Sequence, residues 1–285
     1  MGSEFSVIST TLNGGQKLSL LLESISDNSI LPKEVIVVGT DQTTFDFSTD
    51  FAVYPFELTF ITSLEKGQVL QRALGIKTSS CDLIFQLDDD LVLDPFYFQA
   101  MLETFDRLTG RCVVGAVPRY KDGEAMSWRY SESVFRSKLV RFCFFVINGF
   151  TEPQPLSVSS SGRNFPGLKF TSEDDVHNCE WLCSCMLFER CAFEEASFLK
   201  WTHRKAHFED VVFSHSLYRI GYTLQYSYKA KAYHPYVISS KRSLSEIFGV
   251  LKAQFEVVRI FRLSNLSFLM DALCFFIISV LRRVL

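Results

Sequence analysis

Two groups of carboxylates in this 285-residue chain could do chemistry. Asp88-Asp89-Asp90 follows the apolar run Leu83-Ile84-Phe85-Gln86-Leu87, and Glu209-Asp210 precedes Val211-Val212-Phe213. Three adjacent acids repel one another, and a cation relieves that repulsion. Hard divalent ions such as Mg²⁺ and Mn²⁺ take oxygen ligands, often one or two carboxylates plus phosphate oxygens. Such an ion also offsets the charge that builds on a departing diphosphate. The competing reading of the triplet is a solvated acidic turn or a cap before Pro95. The Glu209-Asp210 pair has two readings as well. A carboxylate in reach of a hydroxyl serves as general base. Two acids at a helix start are also a favourable cap.

Other residues compete for attention. Glu173-Asp174-Asp175 sits in a polar stretch with no strand before it and reads as solvated. His177, His203, His207 and His215 show no ligand spacing. Trp181 suits either the core or stacking on a sugar ring. Four of the eight cysteines (Cys179, Cys183, Cys185 and Cys191) lie close together, but their spacing matches no common zinc site. Free cysteines packed as small hydrophobes in a reducing compartment are expected.

The elements that position these residues follow from periodicity. Phe5–Ser9, Glu34–Gly39, Leu58–Thr62, Asp82–Leu87 and Val113–Pro118 read as strands. Gln16–Ser26, Gly67–Ile76 and Pro95–Leu108 read as helices between them. Alternating strands and helices imply right-handed crossovers and a mostly parallel α/β sheet flanked by helices. Ligands bind beyond the carboxyl ends of such strands, which points to Thr10–Asn13, Gly39–Gln42 and Asp88–Asp90. The Ser-, Pro- and Gly-rich stretch Asn148–Asp175 reads as a long functional loop. A helix around Asp210–Gly221 and a strand at Thr223–Tyr228 follow.

Composition adds a polarity. Hydrophobic residues make up 47%, enough for a sizeable core, and the 28 phenylalanines suit a thick core or a lipid-facing surface. From Lys241 onward seven basic residues face three acids, a net of +4 in a chain of net −3, so the body carries −7. The acidic body argues against nucleic-acid binding by that part of the chain. The basic tail suits an anionic membrane surface. Leu244–Leu263 has helical apolar spacing, and Leu266–Leu281 is strongly apolar but shorter than the roughly 20 residues that a span needs. Residues 241–285 are therefore expected as an amphipathic helical extension lying in a membrane interface. A hairpin packed on the body or on a second subunit is the alternative. The first five residues read as a cloning remnant, with the native start near Ser6 and no signal peptide before it.

Taken in order, the pieces resemble family 2 glycosyltransferases of the GT-A fold, from about Phe5 to His234. They are Ser6-Val7-Ile8-Ser9-Thr10-Thr11, Glu34-Val35-Ile36-Val37-Val38, Lys66-Gly67 with Gln71-Arg72, and Gln86-Leu87-Asp88-Asp89-Asp90. Then come Trp181, Phe188-Glu189-Arg190, Glu209-Asp210, Gly221-Tyr222 and His234. The resemblance implies a GT-A catalytic domain over residues 6–240 and inverting transfer from a nucleotide-diphosphate sugar. It implies Thr10, Thr11 and Asn13 at the nucleoside, and Lys66, Gly67 and Arg72 near the nucleotide. Asp88 and Asp89 would stand at the donor, Asp88 on the ribose or a metal-bound water. Asp90, with Asp88 and His234, would hold Mn²⁺ or Mg²⁺. Asp210 would be the general base, while Glu209 and Trp181 would meet the acceptor. Relatives often place acids where Gly39 and Thr40 stand here, and Asp41 is the substitute. The acceptor implied is a glycan or lipid-linked sugar in surface polysaccharide synthesis, at the cytoplasmic face of the cell membrane.

Two other readings remain at this level. A sugar-phosphate nucleotidyltransferase would usually carry a Gly-rich basic loop after the first strand, and Gly14-Gly15 has only Lys17 nearby. A membrane-bound glycan-binding protein on a decayed fold would not need Asp88, Asp90 and Asp210 together.

Overall fold

A computed structural model describes residues 4–12, 14–40, 54–65, 67–116, 118–120, 138, 142, 146–147, 156–164, 176–196, 207–235 and 243–284. Its strands are β1 (Phe5–Thr10), β2 (Glu34–Gly39), β3 (Glu57–Thr62), β4 (Leu83–Asp88), β5 (Val92–Leu93) and β6 (Cys112–Ala116), then β7 (Arg119–Tyr120), β8 (Val176–Asn178), β9 (Met186–Glu189), β10 (Thr223–Ser227) and β11 (Ala232–His234). The helices are α1 (Gln16–Ser26), α2 (Gln68–Thr78), α3 (Tyr97–Asp106), α4 (Arg190–Glu195), α5 (Glu209–Arg219), α6 (Leu244–Phe261) and α7 (Asn265–Val284).

Eight strands form one sheet in the order β3-β2-β1-β4-β9-β6-β10-β8. The first four are parallel, as their βα alternation dictates. β9 is antiparallel to both β4 and β6, which it separates. That insertion makes the sheet mixed, and it brings the residues just before β9 up against the end of β4. β1, β2 and β6 are buried along their whole length, which explains the nearly continuous apolar runs of β2 and β6.

Both faces are covered. On one, α1 buries Leu18, Leu21, Leu22 and Ile25 in a core with Val7, Val35, Phe85 and Phe98. Each such side chain contributes roughly 1.5–3 kcal/mol on burial. Phe5 belongs to this core and packs on Phe85 and Phe98 at 4.8 and 5.1 Å between ring centroids. On the other face, α2 and α5 pack over Ile8, Ile36, Ile84 and Phe188. α2 lies so close to the sheet that a Cβ on Gly75 would stand 2.6 Å from Ile8 Cγ2.

A small second sheet, β5-β11-β7, sits beyond the end of β4. β11 runs antiparallel to β5, with Tyr233 opposite Val92 and Ala232 opposite Leu93.

The tail divides in two. α6 starts at a capping box, in which Ser243 Oγ accepts from the Glu246 N–H and Glu246 accepts from the Ser243 N–H. Its face of Ile247, Val250, Ala253, Val257, Val258 and Phe261 is buried, and Ala253, Val257 and Phe261 join the core shared with Val212 and Phe213. Phe261 stands edge-on to His215 of α5 at 4.8 Å, and its carbonyl accepts from Arg219 at 2.7 Å. α7 instead leaves Leu266, Leu269, Met270, Leu273 and Ile277 exposed. Among the described residues, no helix is long and apolar enough to cross a membrane.

Candidate functional site

The site lies at the carboxyl ends of β1, β2 and β4. Thr10 and Asp88 are register partners on adjacent parallel strands, so the loops after β1 and β4 leave the sheet side by side. Thr11 Oγ1 donates to Asp89 Oδ2 at 2.5 Å and accepts from the Gly14 N–H at 2.8 Å. Gln71 of α2 donates to the carbonyls of Thr11 and Val38 at 3.0 and 2.9 Å, splinting the ends of β1 and β2. Thr10 is buried at the same level. Gly39 ends β2 where no Cβ fits, because the Phe60 ring would be 2.6 Å away.

The three aspartates face three different ways. Asp88 Oδ1 accepts from Arg72 Nη2 at 2.7 Å and from Gln68 Nε2 at 3.2 Å, and Ser184 Oγ donates to its Oδ2. Both oxygens of Asp88 are therefore engaged within the chain. Asp89 turns back to Thr11, and burial pushes its carboxyl up while the Thr11 hydroxyl opposes the shift. Asp90 points outward. Its carboxylate has Lys17 Nζ at 3.5 Å on one oxygen and His234 Nδ1 at 3.5 Å on the other. The β5–β11 pairing brings His234 there, because extending that register sets it opposite Leu91, next to Asp90.

Arg72 links this loop to the second acidic group. It is 1% exposed and donates through Nη1 to Glu209 Oε1 at 2.9 Å while Nη2 holds Asp88. Burial opposes its charge, but Asp88 and Glu209 more than compensate and raise its pKa further. Glu209 and Asp210 occupy the first turn of α5, which Phe208 enters with a left-handed backbone, φ 64°. Burial pushes both carboxyls well above the ordinary carboxylate range. The Asp210 charge adds to the shift of Glu209, and Arg72 opposes it. Cys183 adds to the shift of Asp210. Glu209 Oε2 is buried and makes no hydrogen bond. Asp210 Oδ1 accepts from the Val211 N–H at 2.8 Å.

The segment before β9 also reaches the site. Ser184 bonds Asp88, and the neighbouring Cys183 is close enough for its charge to raise the Asp210 carboxyl. Cys183 is itself anchored, its N–H donating to Tyr226 Oη at 2.8 Å and its thiol to the Ala116 carbonyl at 3.0 Å. Ser214 of α5 closes the arrangement by accepting from the Leu182 N–H at 2.8 Å. No local signal marks Ser184, and the cysteine cluster that holds Cys183 reads only as core packing, because their approach to the site is created by β9 pairing between β4 and β6.

The remaining expected residues are placed as follows. Gly67 is the N-terminal cap residue of α2. Trp181 is buried, with 7% exposed, so little of its ring is open to a sugar. Asn13, Asp41 and Lys66 lie outside the described residues, as do Glu173-Asp174-Asp175 and His203. The cysteines that are described are free.

The donor set suits a divalent cation that completes its shell elsewhere. Asp90 offers a hard oxygen and His234 a nitrogen, converging at 3.5 Å. Among the described residues no three His, Cys, Asp or Glu side chains converge on one point. A cation at Asp90 would thus draw its other ligands from a bound phosphate compound or water.

Residues 6–163 match the model of Glycosyl transferase family 2, which is more than half of the chain. An uncharacterized glycosyltransferase of Bacillus subtilis (strain 168), YwdF, is 33% identical over 109 residues, 36% of this chain and 40% of that protein. The chain thus spans well under half of the length of this curated relative. Among solved structures, GalNAc-T7 with UDP, GalNAc and Mn²⁺ superposes with a TM-score of 0.61 at 12% identity, covering 90% of this chain and 48% of that one. TarS 1–349 of S. aureus with UDP-GlcNAc superposes at 0.52 and 15%, covering 90% and 66%. These structures share the fold, a GT-A sheet flanked by helices.

Proposed function

Because the chain belongs to glycosyl transferase family 2, we propose that it moves a sugar, with inversion, from a nucleotide-diphosphate donor to an acceptor hydroxyl. The observation that carries this reading is the Arg72 bridge. One buried guanidinium binds Asp88 at the donor side and Glu209 at the start of α5, so the two acidic groups form a single site.

Each residue then has a task that its placement supports. Thr10, Thr11, Gly67 and Asp89 line the nucleotide side, with Asn13, Asp41 and Lys66 proposed beside them. Asp88, oriented by Arg72, Gln68 and Ser184, shapes the donor pocket rather than facing open solvent. Asp90 and His234 would hold Mn²⁺ or Mg²⁺, whose charge offsets that of the nucleotide diphosphate when bound. Asp210 accepts the acceptor's hydroxyl proton as its oxygen bonds to the anomeric carbon. The bond from that carbon to the diphosphate oxygen breaks, and its electron pair leaves with the nucleotide diphosphate. Glu209 neutralises Arg72 and braces the first turn of α5.

We assign catalysis to residues 6–240 and a supporting role to residues 241–285. The UDP named with GalNAc-T7 and the UDP-GlcNAc named with TarS make UDP-sugars the first donors to test. The acceptor proposed is a glycan or lipid-linked sugar of surface polysaccharide synthesis, at the cytoplasmic face of the membrane.

A thermal-shift screen of UDP-, GDP-, CDP- and dTDP-sugars with and without Mn²⁺, followed by product analysis, tests the reading. Stabilisation by one donor, with release of its nucleotide diphosphate, is expected. Failure of the whole panel to bind or to turn over would overturn it.

A further inference from the structure

Helix α7 is built inside out. Its one acidic residue, Asp271, is buried, while Leu266, Leu269, Met270, Leu273 and Ile277 face solvent. Arg163 donates to both Asp271 oxygens, through Nε at 3.1 and 2.9 Å and through Nη2 at 2.7 Å. Gln254 of α6 closes the group, donating to Asp271 at 2.8 Å and to the Ser161 carbonyl at 2.9 Å. Arg163 also stacks over Phe275, 4.7 Å from its centroid. This network sets the rotation of α7 about its own axis. Turning the helix would break a buried ion pair and strand its charges.

The opposite face carries Leu266, Leu269, Met270, Leu273 and Ile277, between 46% and 69% exposed. At about 100° per residue they fill an arc of roughly 100°, centred some 150° from Asp271. Phe248 of α6, 59% exposed, extends this surface and packs on Phe276 at 6.0 Å. Such a continuous exposed apolar surface marks a contact site.

Charge selects the occupant. The tail's seven basic residues face three acids, and Asp271, one of the three, is neutralised from within by Arg163. Lys252, Arg259 and Arg262 are exposed on α6 or at its end. A second copy related by a two-fold axis would set this basic tail against itself. An anionic bilayer attracts the tail, repels the acidic body and accepts the apolar row. We infer that α7, with the adjoining edge of α6, docks in the plane of an anionic lipid surface. This goes beyond the transferase reading and does not depend on it.

Sedimentation of the full chain with vesicles tests the inference. Wild-type protein is expected to sediment with phosphatidylglycerol–phosphatidylcholine vesicles, and much less with phosphatidylcholine alone or at high salt. Leu269→Glu combined with Leu273→Glu is expected to lower binding by at least about tenfold, because both side chains are exposed and contribute buried area only in lipid. Melting temperature and the donor-induced thermal shift of this variant should match wild type, which separates failure here from failure of the transferase reading. The inference is overturned if wild type ignores anionic vesicles or if the double variant binds them equally well. A wild-type dimer that the same substitutions dissociate would overturn it in favour of a second copy.

Discussion

Asp210 is held where a carboxylate is costly to ionise. It is half-buried beside the buried Glu209, and the Val211 N–H and Arg72 only partly offset the cost of its charge. A base must be unprotonated to work, so turnover is expected to be present above the raised Asp210 pKa and to fall as pH drops through it. The acidic limb should lie well above the ordinary value of about 4 for a carboxylate. Asp210→Asn is expected to lower turnover by about 10²–10⁴-fold. The sign for stability is the reverse. A carboxyl whose folded pKa is raised costs stability as pH rises through that pKa. The Asn variant should therefore gain melting temperature relative to wild type as pH rises from about 4 to the limb, and keep that gain above it. Initial rates and melting curves across pH check both. A variant that is as active as wild type would remove Asp210 as the base. The residue types in both acidic groups are legible from the chain, and so is their place at element boundaries. Their division of labour is not. Asp88, Asp89 and Asp90 are neighbours in sequence but contact Arg72, Thr11 and His234 respectively.

Helix α2 has two tasks that meet in its packing. It carries Gln71, which splints the ends of β1 and β2, and Arg72, which bridges the acidic groups. Both reach their targets because Gly75 lets the helix sit down on Ile8 and Val38. Gly75→Val is expected to lower stability by about 1–3 kcal/mol through overpacking. It should also lower turnover more than unfolding explains, since α2 lifts Arg72 away from Asp88. Urea unfolding with activity measured on the folded fraction checks this, and unchanged turnover would uncouple the helix from the site. The element order β1-α1-β2-β3-α2-β4 follows from periodicity alone, with bounds within a residue or two of those expected. The antiparallel β9 and the short strands β5, β7 and β11 are not legible in that way. Strands of two to four residues carry too few side chains to show a period, and pairing with distant partners decides them.

For the molecule as a whole, donor and cation are expected to bind as a coupled pair. With only Asp90 and His234 converging among the described residues, a cation alone is held weakly, and a diphosphate would supply the missing oxygens. Mn²⁺ should therefore stabilise the protein little by itself and strongly with a donor present. At a hundredfold excess over its dissociation constant, a ligand contributes about 2.7 kcal/mol. Asp90→Asn and His234→Ala should each remove that cooperation without unfolding the chain, as titration calorimetry of donor with and without Mn²⁺ would show. Equal donor affinity under both conditions would argue against a cation at Asp90.

The α/β alternation, the family, the placing of the acidic groups at the ends of elements and the basic character of the tail are all legible in the chain alone. These depend on side chains within a few positions of one another, where periodicity, apolar runs and charge are read directly. The folded arrangement alone brings Arg72 between Asp88 and Glu209, the latter 137 positions from Arg72, and His234 to Asp90. It also decided that Asp271 turns inward and leaves the apolar face of α7 outside. A buried charge must find an opposite charge wherever the chain brings one, and strand register and helix packing set that meeting rather than any local pattern.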